Sequence, residues 1–353
     1  MDPTPTPDLP TASPEPTSEP PAPAPTAAAP RDPLAGARDV AARLRRRLSA
    51  AILGRDEVIE LVLVALFADG HVLLEDYPGS GKTTLAKALG DAIDDPAHGL
   101  PGFRRVQFTP DLLPSDVTGV TIFEPDTRQF VFRPGPIFAH VVLADEVNRT
   151  SPKVQAAMLE AMAEKQVTTD AGTRALDDLF FVIATQNPLD VAGTYPLPVA
   201  QLDRFLFKVR MEHVSRQAEL AVLATLRERK APPADPRVSR DEVLAARAAI
   251  EAHVHVAEPI RECLVDVAAA LRADDRALQG ISTRSLVLAV PALQALACLR
   301  GRDYVRGEDL ETLAPRLFAH RLELQPGVDD PGPLIAAALA TGLERLARRT
   351  LER

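Results

Sequence analysis

The amino-acid sequence predicts an α/β fold: a doubly wound parallel sheet carrying two β-hairpin inserts, followed by an all-helical domain. Three observations support this. Short apolar runs alternate with helical patterns from residue 35 to about 214, strand signals vanish after about 215, and a glycine-rich turn joins the first strand to a helix. Apolar residues make up 46% of the 353 and charged residues 25%, which excludes a wholly disordered or fibrous chain.

Proline sets the N-terminus apart, because twelve of the 33 prolines fall in the first 33 positions. With almost no large apolar side chain to bury, residues 1–34 read as a disordered, partly polyproline tail. A basic amphipathic helix, Arg38–Leu48, and an apolar one, Asp56–Phe67, come next. Five strands are expected at His71–Leu74, Arg104–Phe108, Val141–Ala144, Phe180–Ala184 and Leu206–Met211. Their near-continuous apolar character suits strands covered on both faces, with helices Lys82–Ala92 and Ser151–Lys165 between them. Val117–Phe132 and Gln166–Leu176 read as hairpins, the second turning at Asp170-Ala171-Gly172. Pro232-Pro233 and Pro236 break the helical pattern of residues 215–353, the second domain.

The net charge of −9 is not the footprint of a duplex-DNA coat or an anionic-membrane binder. The longest apolar run, Leu61–Ala68, is too short to span a bilayer. Without a secretory pattern, Cys263 and Cys298 read as buried reduced thiols of a cytoplasmic protein. His253 and His255 are the one close histidine pair, and their i, i+2 spacing on a helix points the rings apart, away from a shared metal.

The chemistry concentrates in Glu75-Asp76-Tyr77-Pro78-Gly79-Ser80-Gly81-Lys82-Thr83-Thr84. Gly79 and Gly81 let backbone N–H groups approach phosphate oxygens, and the following helix adds its dipole. Lys82 supplies charge to the β- and γ-phosphates, and the Thr83 hydroxyl is a candidate Mg²⁺ ligand. Asp76 stands where the usual loop has its first glycine. The strand 141–144 then delivers Asp145 and Glu146, one to hold Mg²⁺ and one to polarise the attacking water. Asn187 ends another strand, either as a hydrogen-bond partner of γ-phosphate or water, or as a turn cap before Pro188. Arg204 is open to two readings, an ion pair with Asp203 or a finger reaching a neighbour's nucleotide. Arg284 places a cation at a helix start, where acids are usual, and so points to an anionic partner.

Together, Glu-Asp-x-Pro-Gly-x-Gly-Lys-Thr, Leu-Ala-Asp-Glu-Val-Asn-Arg, Ala-Thr-Gln-Asn-Pro and Gln-Leu-Asp-Arg-Phe-Leu-Phe resemble the MoxR family of AAA+ ATPases. Phe108–Asp116 and Gly301–Val305 resemble it too, and the likeness covers roughly residues 35–325. The resemblance implies a P-loop NTPase core with a helical lid, ATP and Mg²⁺ as cofactors, and a family loop in which Asp76 is ordinary. It implies that Asn187 is sensor 1, Arg204 the arginine finger and Arg284 sensor 2, and that Ile52, Leu53 and Gly54 pack against adenine. The hairpins correspond to the helix-2 insert and the pre-sensor-1 hairpin. It further implies a homo-oligomeric ring, commonly a hexamer, remodelling a client protein, with von Willebrand factor A-domain proteins as typical partners. A metal-chelatase motor and an MCM-like nucleic-acid motor are the alternatives. The mixed charge of Gln166–Leu176 offers no phosphate track, so nucleic acid is not an expected partner.

Overall fold

The alternating apolar runs fold as a five-stranded, all-parallel sheet in the order β10-β1-β9-β6-β3. This is a computed structural model, and it describes residues 32–76, 79–169, 172–187, 193–225 and 235–351. The expected tail, the Asp170-Ala171 turn and Pro232-Pro233 lie outside the described residues, apart from positions 32–34 of the tail.

In chain order, α1 (Ala35–Ala51) and α2 (Asp56–Phe67) lead into β1 (Val72–Asp76), α3 (Lys82–Ala92), β2 (Ile93–Asp94) and β3 (Phe103–Gln107). A short α4 (Pro114–Thr118) precedes β4 (Gly119–Glu124), β5 (Gln129–Pro134) and β6 (Val141–Asp145). Then come α5 (Pro152–Glu164), β7 (Gln166–Thr169), β8 (Gly172–Ala175), β9 (Phe181–Gln186), α6 (Val199–Leu202) and β10 (Phe207–Met211). The remainder holds α7 (Arg216–Ala224), β11 (Val238–Ser239), α8 (Arg240–His253), α9 (Glu258–Ala273), β12 (Ala277–Gln279), α10 (Thr283–Leu299), α11 (Gly307–Phe318), β13 (Glu323–Leu324) and α12 (Gly332–Leu351). The expected strands fall within two residues of the observed ones. Among the described residues, the regular elements of the second half are helices except for β11, β12 and β13, each too short to leave a periodic signal.

Strand alternation divides the core in two. Val72, Leu74, Leu143, Ile183 and Val209 face α1, α2, α3 and the C-terminal helices. Leu73, Val142, Ala144, Val182 and Ala184 face α5. Because both faces are covered, central strands are apolar throughout. The exceptions are the edge strands β3, Phe-Arg-Arg-Val-Gln, and β10, Phe-Lys-Val-Arg-Met, each of which has only one sheet neighbour and so tolerates charge. Helix α2 is apolar almost all round because it lies between the sheet and α10, and α1 packs on α8. The first two helices therefore share one hydrophobic cluster with the C-terminal helices.

The two hairpins form as expected, although Val117 and Thr118 belong to α4 rather than to the first hairpin. Arg174 of β8 sits 4.1 Å over the Phe132 ring of β5, joining one hairpin to the other. The Gly301–Val305 stretch has a structural task. Arg302 pairs with the buried Asp309 at 2.7 Å, and Asp309 accepts the Arg306 N–H at the start of α11. Cys263 and Cys298 are buried and form no disulfide. Among the described residues no helix is long and apolar enough to cross a membrane.

His71, just ahead of β1, makes the fold sensitive to acid. Its Nδ1 accepts the Val182 N–H at 3.1 Å while Nε2 donates to the Met162 carbonyl at 3.1 Å, a pattern only the neutral ring can satisfy. Burial pushes its pKa down from 6.5 to about 4. Below 6.5 the unfolded chain takes up a proton that the folded chain refuses until about 4. Stability is therefore full above 6.5 and falls across that window, by about 3 kcal/mol for this residue. The buried His320 is lowered for the same reason. Denaturant midpoints measured across that pH window should fall with acid, and a flat profile would contradict this reading of His71.

Candidate functional site: a nucleotide cleft at the carboxyl edge of the sheet

Because β1, β6 and β9 run parallel, the residues after them gather at one edge of the sheet, the usual ligand position in such folds. Beyond β1, Gly79 and Gly81 have φ of +92° and +97°, the left-handed region that turns the loop into α3. At Gly81 a Cβ would also lie 2.8 Å from Ile52 Cδ1. Helix α3 opens at Lys82, so its first free N–H groups and its positive dipole end face the loop. Ser80 Oγ is buried with no hydrogen-bond partner among the described residues, an orphan that a phosphate oxygen would satisfy. Tyr77 and Pro78 lie outside the described residues, as does the side chain of Asp76.

This loop opens on a cleft of about 490 Å³, within the range of small-molecule sites. Of the expected nucleotide residues, Ile52, Leu53, Gly79, Ser80, Gly81 and Thr84 line it. Its other walls had no motif to announce them: Arg55, the Met211–Val214 stretch after β10, and Glu219, Val222 and Leu223 of α7. Arg55 donates to the Glu212 carbonyl, tying two walls together. Gly54 has φ +70°, and a Cβ there would come within 2.6 Å of Ala218 Cβ. Helix α7, which buries no residue of its own, thus rests on this glycine and closes one side of the cleft.

At the end of β6, Asp145 is nearly buried and both its oxygens are engaged. Thr185 Oγ1 donates to Oδ1 at 2.6 Å, while Arg105 donates to Oδ2 through Nε at 3.1 Å and Nη2 at 2.6 Å. Glu146 has φ 58° and ψ 50°, a costly conformation for a non-glycine residue, and it re-aims the side chain at the strand end. Its N–H donates to Thr185 Oγ1 at 2.9 Å, and its Oε2 accepts from Gln107 Nε2 at 2.8 Å, with Arg149 at 3.3 Å. Thr185 was hidden inside the Ala-Thr-Gln-Asn-Pro motif, where only Asn187 had a role assigned. Arg105 and Gln107 carry the one available signal, polar residues two apart and therefore on one face of a strand. Asn187 follows β9 directly, at the same edge. Glu75 of β1 receives Gln186 Nε2 at 2.5 Å and pairs with Lys208 at 2.7 Å, fixing the root of the loop.

Two expected residues lie elsewhere. Arg204 precedes β10, and the neighbouring Leu206 N–H bonds the carbonyl of His71, so Arg204 sits at the amino edge of the sheet. The five-residue strand β1 alone puts about 15 Å between that edge and the loop. Asp203 pairs with Arg321 at 2.7 Å rather than with Arg204, whose guanidinium has no hydrogen bond or ion pair among the described residues. Ser285 Oγ donates to the same Asp203 at 3.3 Å, which brings the exposed Arg284 to this edge as well. Neither arginine lines its own chain's cleft.

The arrangement suits ATP: a phosphate cradle, an apolar wall for a base, and two acids beside the cradle. Among the described residues no group of His, Cys, Asp or Glu is disposed to hold a metal alone. The Asp145 carboxylate, already matched to a guanidinium cation, fits a metal that shares its coordination with phosphate and water.

The same order of parts recurs in other proteins. Residues 71–207 match the ATPase family associated with various cellular activities (AAA), and residues 269–337 match the AAA lid domain. The chain is 46% identical to the uncharacterized protein YeaC of Bacillus subtilis over 78% of its own length and 84% of that protein's. It is 36% identical to chaperone MoxR1 of Mycobacterium tuberculosis, covering 77% of this chain and 73% of that one. A crystal structure of a candidate ATPase from Cytophaga hutchinsonii superposes with a TM-score of 0.78 at 33% identity, over 87% of this chain and 96% of that one. The family models, the relatives and the solved structure agree, and the chain belongs to the MoxR family of AAA+ ATPases, enzymes that bind and hydrolyse ATP.

Proposed function

We propose that the protein is an Mg²⁺-dependent ATPase working as a homo-oligomeric ring, commonly a hexamer in this family, in which each nucleotide site is completed by a neighbouring copy. Residues 35–214 form the ATPase core and 215–353 the lid. The observation that carries this is the placement of Arg204 and Arg284 at the amino edge, away from their own cleft and with no side-chain hydrogen bond or ion pair among the described residues. Two guanidinium groups on the far side of a phosphate-binding fold are suited to a neighbour's γ-phosphate.

In this reading Ile52, Leu53 and Gly54 hold the adenine, and the Gly79–Thr84 backbone with Lys82 cradles the phosphates. Thr83 and Asp145 hold the metal with Thr185 orienting Asp145, and a bound Mg²⁺ would supply charge neutralisation at the β- and γ-oxygens. Glu146 takes the proton of the attacking water, and Asn187 aligns that water against the phosphate. The incoming Arg204 stabilises charge that develops on the transferred group.

Hydrolysis would drive remodelling of a client protein in the cytoplasm, with a von Willebrand factor A-domain protein as partner. The name of the mycobacterial relative, a chaperone, supports the client. So does the β4–β5 hairpin, where Phe130 is 75% and Phe123 52% exposed and the two rings meet edge to face at 5.3 Å. Exposed apolar surface of this kind suits a polypeptide better than a phosphate backbone. The test of the shared site is the specific ATPase activity as a function of protein concentration. It should rise as copies assemble and plateau when assembly is complete. Constant specific activity down to fully dissociated protein would contradict the shared site.

A further inference from the structure

We propose that Arg105 is a cationic placeholder at the metal position: it occupies Asp145 in the unloaded site and must leave before Mg²⁺ can be held there, so it sets the metal concentration the enzyme requires. This rests on the reading of Asp145 as the residue that holds the metal.

Arg105 belongs to the edge strand β3, and its register partner on β6 is Leu143; the residue opposite Asp145 is Gln107. The guanidinium therefore reaches two residues along the neighbouring strand to donate twice to Asp145 Oδ2. Oδ1 is committed to Thr185, a buried hydroxyl that cannot move away, which leaves Oδ2 as the oxygen open to exchange. With Nε and Nη2 both donating to it, Oδ2 has neither acceptor site left for a hydrated divalent ion, and two cations so close repel one another. The same Arg105 Nη2 also donates to Gln107 Oε1 at 2.6 Å, and Gln107 donates to Glu146. Both acids are thus tied to β3 through adjacent side chains.

Exchange is cheap for the protein. The Arg105 side chain is 48% exposed while that of Asp145 is 11% exposed, so the guanidinium can swing into solvent without breaking a packed contact. A purely structural role would need the opposite, a buried arginine whose departure empties the core. Because only the fraction of molecules with Arg105 displaced can accept metal, the apparent affinity for the ion is lowered by that fraction.

The test uses the full chain and a non-hydrolysable ATP analogue, AMP-PNP, titrated calorimetrically in EDTA and over a series of Mg²⁺ concentrations. Arg105→Ala and Arg105→Gln should bind AMP-PNP in EDTA like the wild type, yet lower the Mg²⁺ concentration for half-maximal tightening by roughly tenfold. Arg105→Lys, which keeps the charge without the second N–H, should lie between. An unchanged or raised Mg²⁺ requirement in folded Ala and Gln variants would overturn the proposal. Weakened binding in EDTA would overturn it too, by showing that Arg105 serves the nucleotide directly. If Mg²⁺ has no effect on the wild type, the metal role of Asp145 falls and the placeholder with it. A wild type that tightens with Mg²⁺ beside unshifted variants condemns the placeholder alone.

Discussion

Glu146→Gln should bind ATP with near-wild-type affinity and turn it over about 10³-fold more slowly. The substitution is isosteric, so the amide can keep the Gln107 contact and the backbone hydrogen bond to Thr185 that holds this residue in its left-handed conformation. What it loses is the proton acceptor. In the proposed site, nucleotide binding rests on the Gly79–Thr84 loop and the cleft walls, and Glu146 does not line that cleft. Steady-state phosphate release together with an equilibrium binding titration separates the two. Unchanged turnover would remove Glu146 as the group that activates water. The stalled, ATP-bound variant is also the form with which to capture a client.

Arg204→Ala is the second large effect, a loss of roughly 10³-fold in kcat with the nucleotide Kd and the melting temperature close to wild type. Stability should hold because the Arg204 guanidinium makes no hydrogen bond or ion pair among the described residues, and Asp203 already has Arg321. If the pair with Asp203 were the role of Arg204, the variant would be destabilised and its turnover spared. The two readings of this arginine therefore predict opposite outcomes in the same pair of measurements.

Much of this architecture is legible in the sequence, and the reason is local. The five strands of the sheet declare themselves as four- to six-residue runs, three of them almost wholly apolar, and the loop declares itself by glycines at positions that need positive φ. Asp145 and Glu146 stand out because they end an apolar strand and follow Lys82 of the glycine-rich loop by 63 and 64 positions, a pairing suited to the second half of a nucleotide site. What stays hidden is whatever depends on strand orientation or distant pairing. Arg204 is only 17 residues beyond Asn187, yet the two sit at opposite edges of the sheet, which no spacing reveals. The partner of Asp203 is Arg321, 118 positions away. The packing of α1 and α2 on α8 and α10 is equally non-local. Arg105 is hidden for another reason: two adjacent arginines in a strand look like solvated charge until the neighbouring strand supplies the carboxylate.

The central claim is that one copy's arginine completes another copy's site. Mixing the two variants tests it most directly. Each alone should be nearly inactive. In co-assembled oligomers, an Arg204→Ala subunit provides an intact Glu146, and an adjacent Glu146→Gln subunit provides an intact Arg204, so some sites are whole again. The account predicts that ATPase activity reappears on co-assembly and reaches a maximum at intermediate mixing ratios. Activity that stays at the level of the separate variants, in oligomers shown to contain both, would contradict it.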